Sequence, residues 1–263
     1  MQLEVANIKT HYQVMGNGPT LVLLHGWGHS WETWSKVVAP LSKSFKLIMP
    51  DLPAFGQSGM PLMAWNSHDY AQWLQAFLQQ VIPQNAAQPE FFLLGHSFGG
   101  KVAGVFAAQT TEAGADPQSG NLQKLVIMDA SGLPDPLPAS KHLRQQLISL
   151  IPNSLKNSLP AAFKEKLLAN WGLATDHLHA TREQKLILRQ TIRENIADEL
   201  AKITTPTLII WGENDEETPL HQGKRFAQLI PGSLFKIFPT SGHFPYNDET
   251  ELFCSTVHDF LLS

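Results

Sequence analysis

The chain has 263 residues, 43% of them apolar and 16% charged, with a formal net charge of −4. That length lets one α/β domain bury a sizeable core and does not by itself demand two domains. The charge is mild and spread out, with no basic run, so nucleic acid and anionic membrane partners have no electrostatic support. Cys254 is the one cysteine, which excludes an intramolecular disulfide; its place in a C-terminal apolar pattern assigns it to packing. The N-terminus lacks the basic flank and apolar core of a signal peptide, and no apolar run approaches bilayer length. A soluble, cytoplasmic protein is therefore expected.

Leu3–Val5 and Ile8–Val14 alternate around Ala6-Asn7, the pattern of an antiparallel hairpin at a sheet edge. After the Gly16–Pro19 turn, Thr20–Leu24 is a continuous apolar run, as expected of a strand covered on both faces. It ends in His25-Gly26-Trp27-Gly28, whose glycines let the backbone turn sharply and present N–H groups above the sheet. Trp31, Trp34, Val37, Val38 and Leu41 have helical spacing, and the two tryptophans read as core. Phe45–Met49 is the next strand and leads into Pro50–Gly59. A helix is predicted over 67–81, with Ser67 as N-cap, a face of Tyr70, Trp73, Leu74, Phe77, Leu78 and Val81, and Pro83 as terminator.

Phe91–Leu94 then runs into Gly95-His96-Ser97-Phe98-Gly99-Gly100, followed by a small, apolar, helix-compatible stretch. This is strand, sharp turn and helix with a serine at the apex. Close approach of residues 95 and 99 needs glycine, and the helix aims its N-terminal amides at the same place. Residues 111–120 form a loop by composition. The strand Lys124–Met128 ends at Asp129. From 133 to about 202 the strand–helix rhythm breaks into amphipathic helical patterns, with polar candidates His142, His177 and Arg193. Strand Thr207–Ile210 ends in Trp211–Pro219, which holds Glu213, Asp215, Glu216 and Glu217. Helix 220–230 precedes strand Leu234–Phe238, which runs into Ser241-Gly242-His243, and a helix over 248–262 closes the chain.

Gly-x-Ser-x-Gly between a buried strand and a helix resembles the nucleophile elbow of the alpha/beta-hydrolase family. His-Gly-x-Gly at 25–28, Trp-Gly-x-x-Asp at 211–215 and Ser-Gly-His at 241–243 resemble that family's other site segments, and the likeness covers nearly the whole chain outside the helical stretch. It implies an α/β fold: a mostly parallel eight-stranded sheet flanked by helices, with a helical cap inserted after strand 6. The core would comprise residues 1–132 and 203–263, and the cap 133–202. By resemblance, Ser97 is the nucleophile, Asp215 the acid and His243 the base, in the order Ser…Asp…His expected of the fold. The backbone N–H groups of Trp27 and Phe98 would form the oxyanion hole. Asp129 is a rival acid, since some members carry the acid there; Glu213, Glu216 and Glu217 are nearby competitors of Asp215. His25 is expected to hydrogen-bond its loop, and His96 is given no catalytic role. Asp51 is expected to tie the 50–59 loop, where Ala54 stands at a position usually glycine, a change read as harmless unless φ is positive.

The chain carries no C-x-x-C, no H-E-x-x-H, no phosphate loop and no dinucleotide fingerprint, so neither metal nor cofactor is expected. The expected function is a serine hydrolase acting on a carboxylic ester of a small or medium acyl substrate through an acyl-enzyme. Two alternatives stand beside it. One is a carbon–carbon bond hydrolase of ring-cleavage-type keto acids using the same three residues. The other is a non-catalytic binding member of the fold, disfavoured because all three residues are present.

Overall fold

Each continuous apolar run of the sequence becomes a strand whose alternate residues face two different cores. The computed structural model describes residues 1–82, 90–110, 121–135 and 180–263. The strands are β1 (Gln2–Val5), β2 (Ile8–Met15), β3 (Thr20–Leu24), β4 (Lys46–Pro50), β5 (Glu90–His96), β6 (Asn121–Met128), β7 (Thr207–Gly212) and β8 (Leu234–Phe238). They form one eight-stranded sheet in the order β1-β2-β4-β3-β5-β6-β7-β8. The β1–β2 and β2–β4 pairs are antiparallel; every pair from β4 onward is parallel. The sheet is thus the eight-stranded, mostly parallel one expected.

Parallel neighbours need crossovers, and the helices supply them. They are α1 (Ser35–Leu41), α2 (Ser67–Val81), α3 (Phe98–Thr110), α4 (Arg182–Thr191), α5 (Ala197–Leu200), α6 (Leu220–Leu229), α7 (Pro245–Asp248) and α8 (Thr250–Leu262). Val22, Leu24, Leu93, Leu125, Ile127 and Ile209 face the core built with α2, α3, α5 and α6. Leu21, Leu23, Leu94, Val126, Met128 and Ile210 face the other core, built with α1 and α8. The period of two along a strand divides one apolar run between both faces. Each fully buried side chain of this size contributes roughly 1.5–3 kcal/mol.

Several local expectations are corrected. Helix α2 does span 67–81, but its N-cap is Asn66, not Ser67. The Asn66 side chain accepts from His68 and Asp69 main-chain N–H groups while the Asp69 carboxylate accepts from Asn66 N–H, closing a capping box. Ser67 instead donates from its N–H to Glu194 at 2.9 Å. The C-terminal helix starts at Thr250, after the separate turn α7, because Glu249 between them has left helical conformation (φ −126°, ψ 55°). Trp31–Trp34 forms a 3-10 turn leading into α1, with Trp34 buried. Ala54 does adopt a positive φ, +77°, so its Cβ is strained where glycine would not be.

The Asp51 carboxylate ties its loop as anticipated. It accepts N–H groups from Trp31 (2.8 Å) and Gln57 (2.9 Å) and lies 2.8 Å from His11 Nδ1. Cys254 is only half-buried; partial burial raises its thiol to about 11, which suits packing rather than reaction. Of the 133–202 stretch, the described part holds α4 and α5, and Ile187, Ile196 and Leu200 join the core against α3. The loop predicted over 111–120, Pro83, residues 136–179 of the predicted helical stretch, His142 and His177 lie outside the described residues.

Candidate active site

The turn between β5 and α3 is tight enough to dictate its sequence. A Cβ on Gly95 would stand 2.3 Å from Gly99 O, and one on Gly99 would stand 2.3 Å from Leu24 O at the end of β3. Only hydrogen fits at either position. Between them Ser97 takes φ +53°, a conformation that costs a side-chain-bearing residue about 1–2 kcal/mol. The surroundings hold it there. Ser97 N–H donates to Met128 O (2.9 Å), and Ser97 O accepts from Lys101 N–H (3.1 Å) and Ser131 N–H (3.3 Å). The elbow is therefore strapped to the end of β6 as well as to its own helix.

His243 lies on the loop after β8, and Asp215 on the loop after β7. His243 Nδ1 stands 2.8 Å from Asp215 Oδ2. The other oxygen, Oδ1, accepts main-chain N–H groups from Glu217 (2.8 Å) and Thr218 (2.9 Å), the geometry of an Asx-type turn. Thr218 Oγ1 completes the cradle, 2.7 Å from Asp215 Oδ2 and 3.0 Å from Asp129 O. Burial pushes the Asp215 carboxyl up, but the His243 and Thr218 hydrogen bonds outweigh it and hold the group below its ordinary value. The loops meet because glycine permits it: a Cβ on Gly212 would lie 2.0 Å from Gly242 O. With Nδ1 directed at a carboxylate, the imidazole turns Nε2 toward the cavity. There Glu217 Oε2 lies 3.5 Å away.

Asp129, the rival acid, sits in the same cluster: its ligand-type atoms and those of Asp215 and His243 lie within 4.8 Å of one another. Its contacts differ. Oδ1 accepts Gly212 N–H at 2.9 Å, while Oδ2 is buried without a hydrogen-bond partner. Burial, and then the charge of Asp215, raise its carboxyl well above the ordinary range. Asp129 thus sits behind Asp215 with its carboxyl biased toward the protonated form, and His243 is hydrogen-bonded to Asp215 instead.

Two buried histidines frame this arrangement. His25 accepts Leu52 N–H on Nε2 (2.9 Å) and directs Nδ1 at Gly26 O (2.8 Å), so it does tie its loop. Burial lowers it to about 4, which keeps it neutral. His96, for which no catalytic role is expected, places its Nε2 2.7 Å from His243 O and packs its ring 4.8 Å from the His243 ring. Burial and the neighbouring His243 lower it well below its ordinary value. Thr218 was also missed. The signal was present in the Asp-x-x-Thr spacing, where a side chain three residues on can close an Asx-type turn. No pattern in the sequence points to His96, because its partner lies 147 residues away.

A cavity of about 410 Å³ opens over these residues, lined by Ser97, His243, Trp27 and Phe98 together. The Trp27 and Phe98 rings meet edge to face at 5.6 Å. Phe98 opens α3, so its N–H belongs to the first turn, where no intrahelical acceptor exists. Leu133, Leu188 and Ile192 give the cavity an apolar flank, and Lys101, Asp135, Glu217 and Gln222 bring polar groups to it. Lys101 Nζ donates to Thr191 O at 2.5 Å and lies 3.6 Å from Glu194. Burial lowers it to about 8. Arg193, also singled out from sequence, does not line the cavity.

A family model of the alpha/beta hydrolase family matches residues 21–256, and the chain belongs to that family. A pimeloyl-[acyl-carrier protein] methyl ester esterase of Vibrio vulnificus is 26% identical over an alignment covering 95% of this chain and 97% of that one. An enol-lactonase from Burkholderia xenovorans LB400 has the same fold, with TM-score 0.72 and 19% identity over the full length of both chains. A meta-cleavage product hydrolase from Pseudomonas fluorescens IP01 superposes at TM-score 0.69 with 20% identity, covering 99% of this chain and 97% of that one.

Proposed function

We propose that this protein is a serine hydrolase that cleaves a carboxylic ester of a small or medium acyl substrate through an acyl-enzyme. Ser97 is the nucleophile, His243 the base and Asp215 the acid behind it. The observation that carries this reading is the 2.8 Å contact of His243 Nδ1 with Asp215 Oδ2 in a cavity that Ser97 also lines. A serine hydroxyl is a poor nucleophile until a base takes its proton. With Nδ1–H donated to Asp215, Nε2 is the imidazole atom that accepts it.

Ser97 Oγ attacks the ester carbonyl carbon as His243 Nε2 takes the hydroxyl proton. The carbonyl oxygen becomes an oxyanion, which the N–H groups of Trp27 and Phe98 receive. Each such donor is worth about 3–4 kcal/mol in the transition state. The carbon–oxygen ester bond breaks, and the alkoxide leaves with the proton from His243. Water then attacks the acyl-Ser97 carbonyl with His243 again as base, and the carboxylic acid departs. Asp215 steadies the imidazolium in both halves. Neither metal nor cofactor takes part in this scheme.

The methyl ester esterase of Vibrio vulnificus, named for ester chemistry, supports the ester reading. The carbon–carbon hydrolase alternative needs a cation to hold a keto-acid carboxylate. Among the described residues lining the cavity, the lysine is Lys101, and Thr191 O and Glu194 already engage it. Hydrolysis of p-nitrophenyl esters of increasing acyl length, compared with a dienoic keto acid, tests the choice. Ester turnover that disappears in Ser97→Ala is expected. Keto-acid turnover without ester turnover would replace this reading with the alternative.

A further inference from the structure

The charged groups that line the cavity are not equivalent. Lys101 faces Glu194 at 3.6 Å. Asp135 is matched by His221 Nε2 at 2.8 Å and by Arg225 at 3.5 Å. Glu217 is different. Its carboxylate lies 3.5 Å from His243 Nε2. That nitrogen is the one the reaction uses, so the Glu217 carboxylate stands at the reacting centre, without a basic side chain of its own. Its main-chain N–H donates to Asp215 Oδ1 at 2.8 Å, which fixes the residue on the loop.

We propose that Glu217 makes the site select by charge, admitting neutral or cationic acyl groups and turning away acyl groups that end in a carboxylate. The proposal rests on the ester-hydrolase reading of the same cavity and narrows its substrate class. Like charges a few Å apart repel strongly in a partly dehydrated cleft, and no described cation of the cavity wall is left over to compensate. The Glu217 side chain is 53% exposed, so water and salt screen the repulsion and bring it to about tenfold in rate, not thousands. The same charge acts on the product. Hydrolysis converts a neutral ester into a carboxylate beside Glu217, and the repulsion favours its departure.

The test compares three p-nitrophenyl esters of matched length: butyrate, hemisuccinate and 4-trimethylammoniobutyrate. The wild-type protein is expected to turn over the hemisuccinate at least about tenfold less efficiently, in kcat/KM, than the other two, and the gap should shrink in 0.5 M salt. Glu217→Gln should raise the hemisuccinate-to-butyrate ratio about tenfold, and Glu217→Asp should restore the original ratio. A merely structural role for Glu217 would change all three esters by one factor, and that result would overturn the proposal. So would a wild-type preference for the anionic ester.

Calorimetric binding of butyramide, succinamate and 4-trimethylammoniobutyramide reads the same selection without turnover. Weak succinamate binding that strengthens in Glu217→Gln, with no ester hydrolysed, would sink the hydrolase reading and keep charge selection. Ester turnover with all three amides bound alike would sink charge selection and keep the hydrolase.

Discussion

His96 Nε2 lies 2.7 Å from the main-chain oxygen of His243. The residue before Ser97 therefore holds the loop that carries His243, the proposed base, so one contact ties the elbow to that loop. Because burial keeps His96 neutral, Nε2 bears its one proton and Nδ1 has none. His96→Ala removes this donor and leaves a buried carbonyl unpaired. A hydrogen bond of this kind contributes about 1 kcal/mol, so kcat should fall several-fold to about tenfold with KM little changed. Steady-state kinetics with a thermal melt as control would check it; an unchanged kcat in a folded variant would remove His96 from the positioning scheme.

The two carboxyl groups behind His243 should respond differently to the same change. Asp215→Asn takes away the acceptor of His243 Nδ1 and is expected to lower kcat by orders of magnitude. Asp129→Asn keeps an acceptor for Gly212 N–H and leaves the His243–Asp215 contact untouched, so it should keep most of the turnover. The stability sign follows from the raised carboxyl of Asp129. Its folded value exceeds its unfolded one, so its contribution is fully present below the unfolded value near pH 4 and is lost as pH rises toward the folded value. Asp129→Asn should therefore gain on the wild type in Tm as pH rises above the ordinary carboxyl value of about 4. The reverse kinetic pattern, with Asp129 the sensitive residue, would reassign the acid.

His25 predicts an acid-side loss. Its folded value of about 4 lies below the unfolded value of 6.5, so the stabilisation is present above pH 6.5 and is lost as pH falls through about 4. The loss amounts to about 3 kcal/mol over that window. His25→Gln should be less stable than the wild type at pH 7.5, with a shallower decline between pH 6.5 and 4. Urea melts at several pH values would show it, and parallel slopes would contradict it.

Ala54 carries a Cβ at φ +77°. Glycine removes about 1–2 kcal/mol of strain at the cost of some chain entropy. Ala54→Gly should raise stability by up to about 1 kcal/mol, or a few degrees in Tm. A lower Tm would mean that the alanine methyl packs more favourably than its backbone strain costs.

The sheet is legible in the sequence because its central strands are unbroken apolar runs: Thr20–Leu24, Phe91–Leu94 and Thr207–Ile210 each meet apolar groups on both faces, and nothing else accommodates them. Glycines mark the sharp turns after them, which brings Ser97, Asp215 and His243 to one edge of the sheet. Local competition hid smaller features. Asn66 and Ser67 are both good caps, and the return bond from Asp69 decides between them. Ala54 hid its strain because only the fold sets its φ. The His96 contact and the raised carboxyl of Asp129 depend on burial and on partners far along the chain, which no periodicity encodes.

The central claim is that Ser97 is a nucleophile activated by His243. Peptide mapping by mass spectrometry after treatment with a fluorophosphonate tests it most directly. The account predicts a single adduct on the peptide carrying Ser97, strongly slowed in His243→Ala and absent in Ser97→Ala together with all ester turnover. An adduct on another residue, or ester hydrolysis that survives in Ser97→Ala, would contradict it.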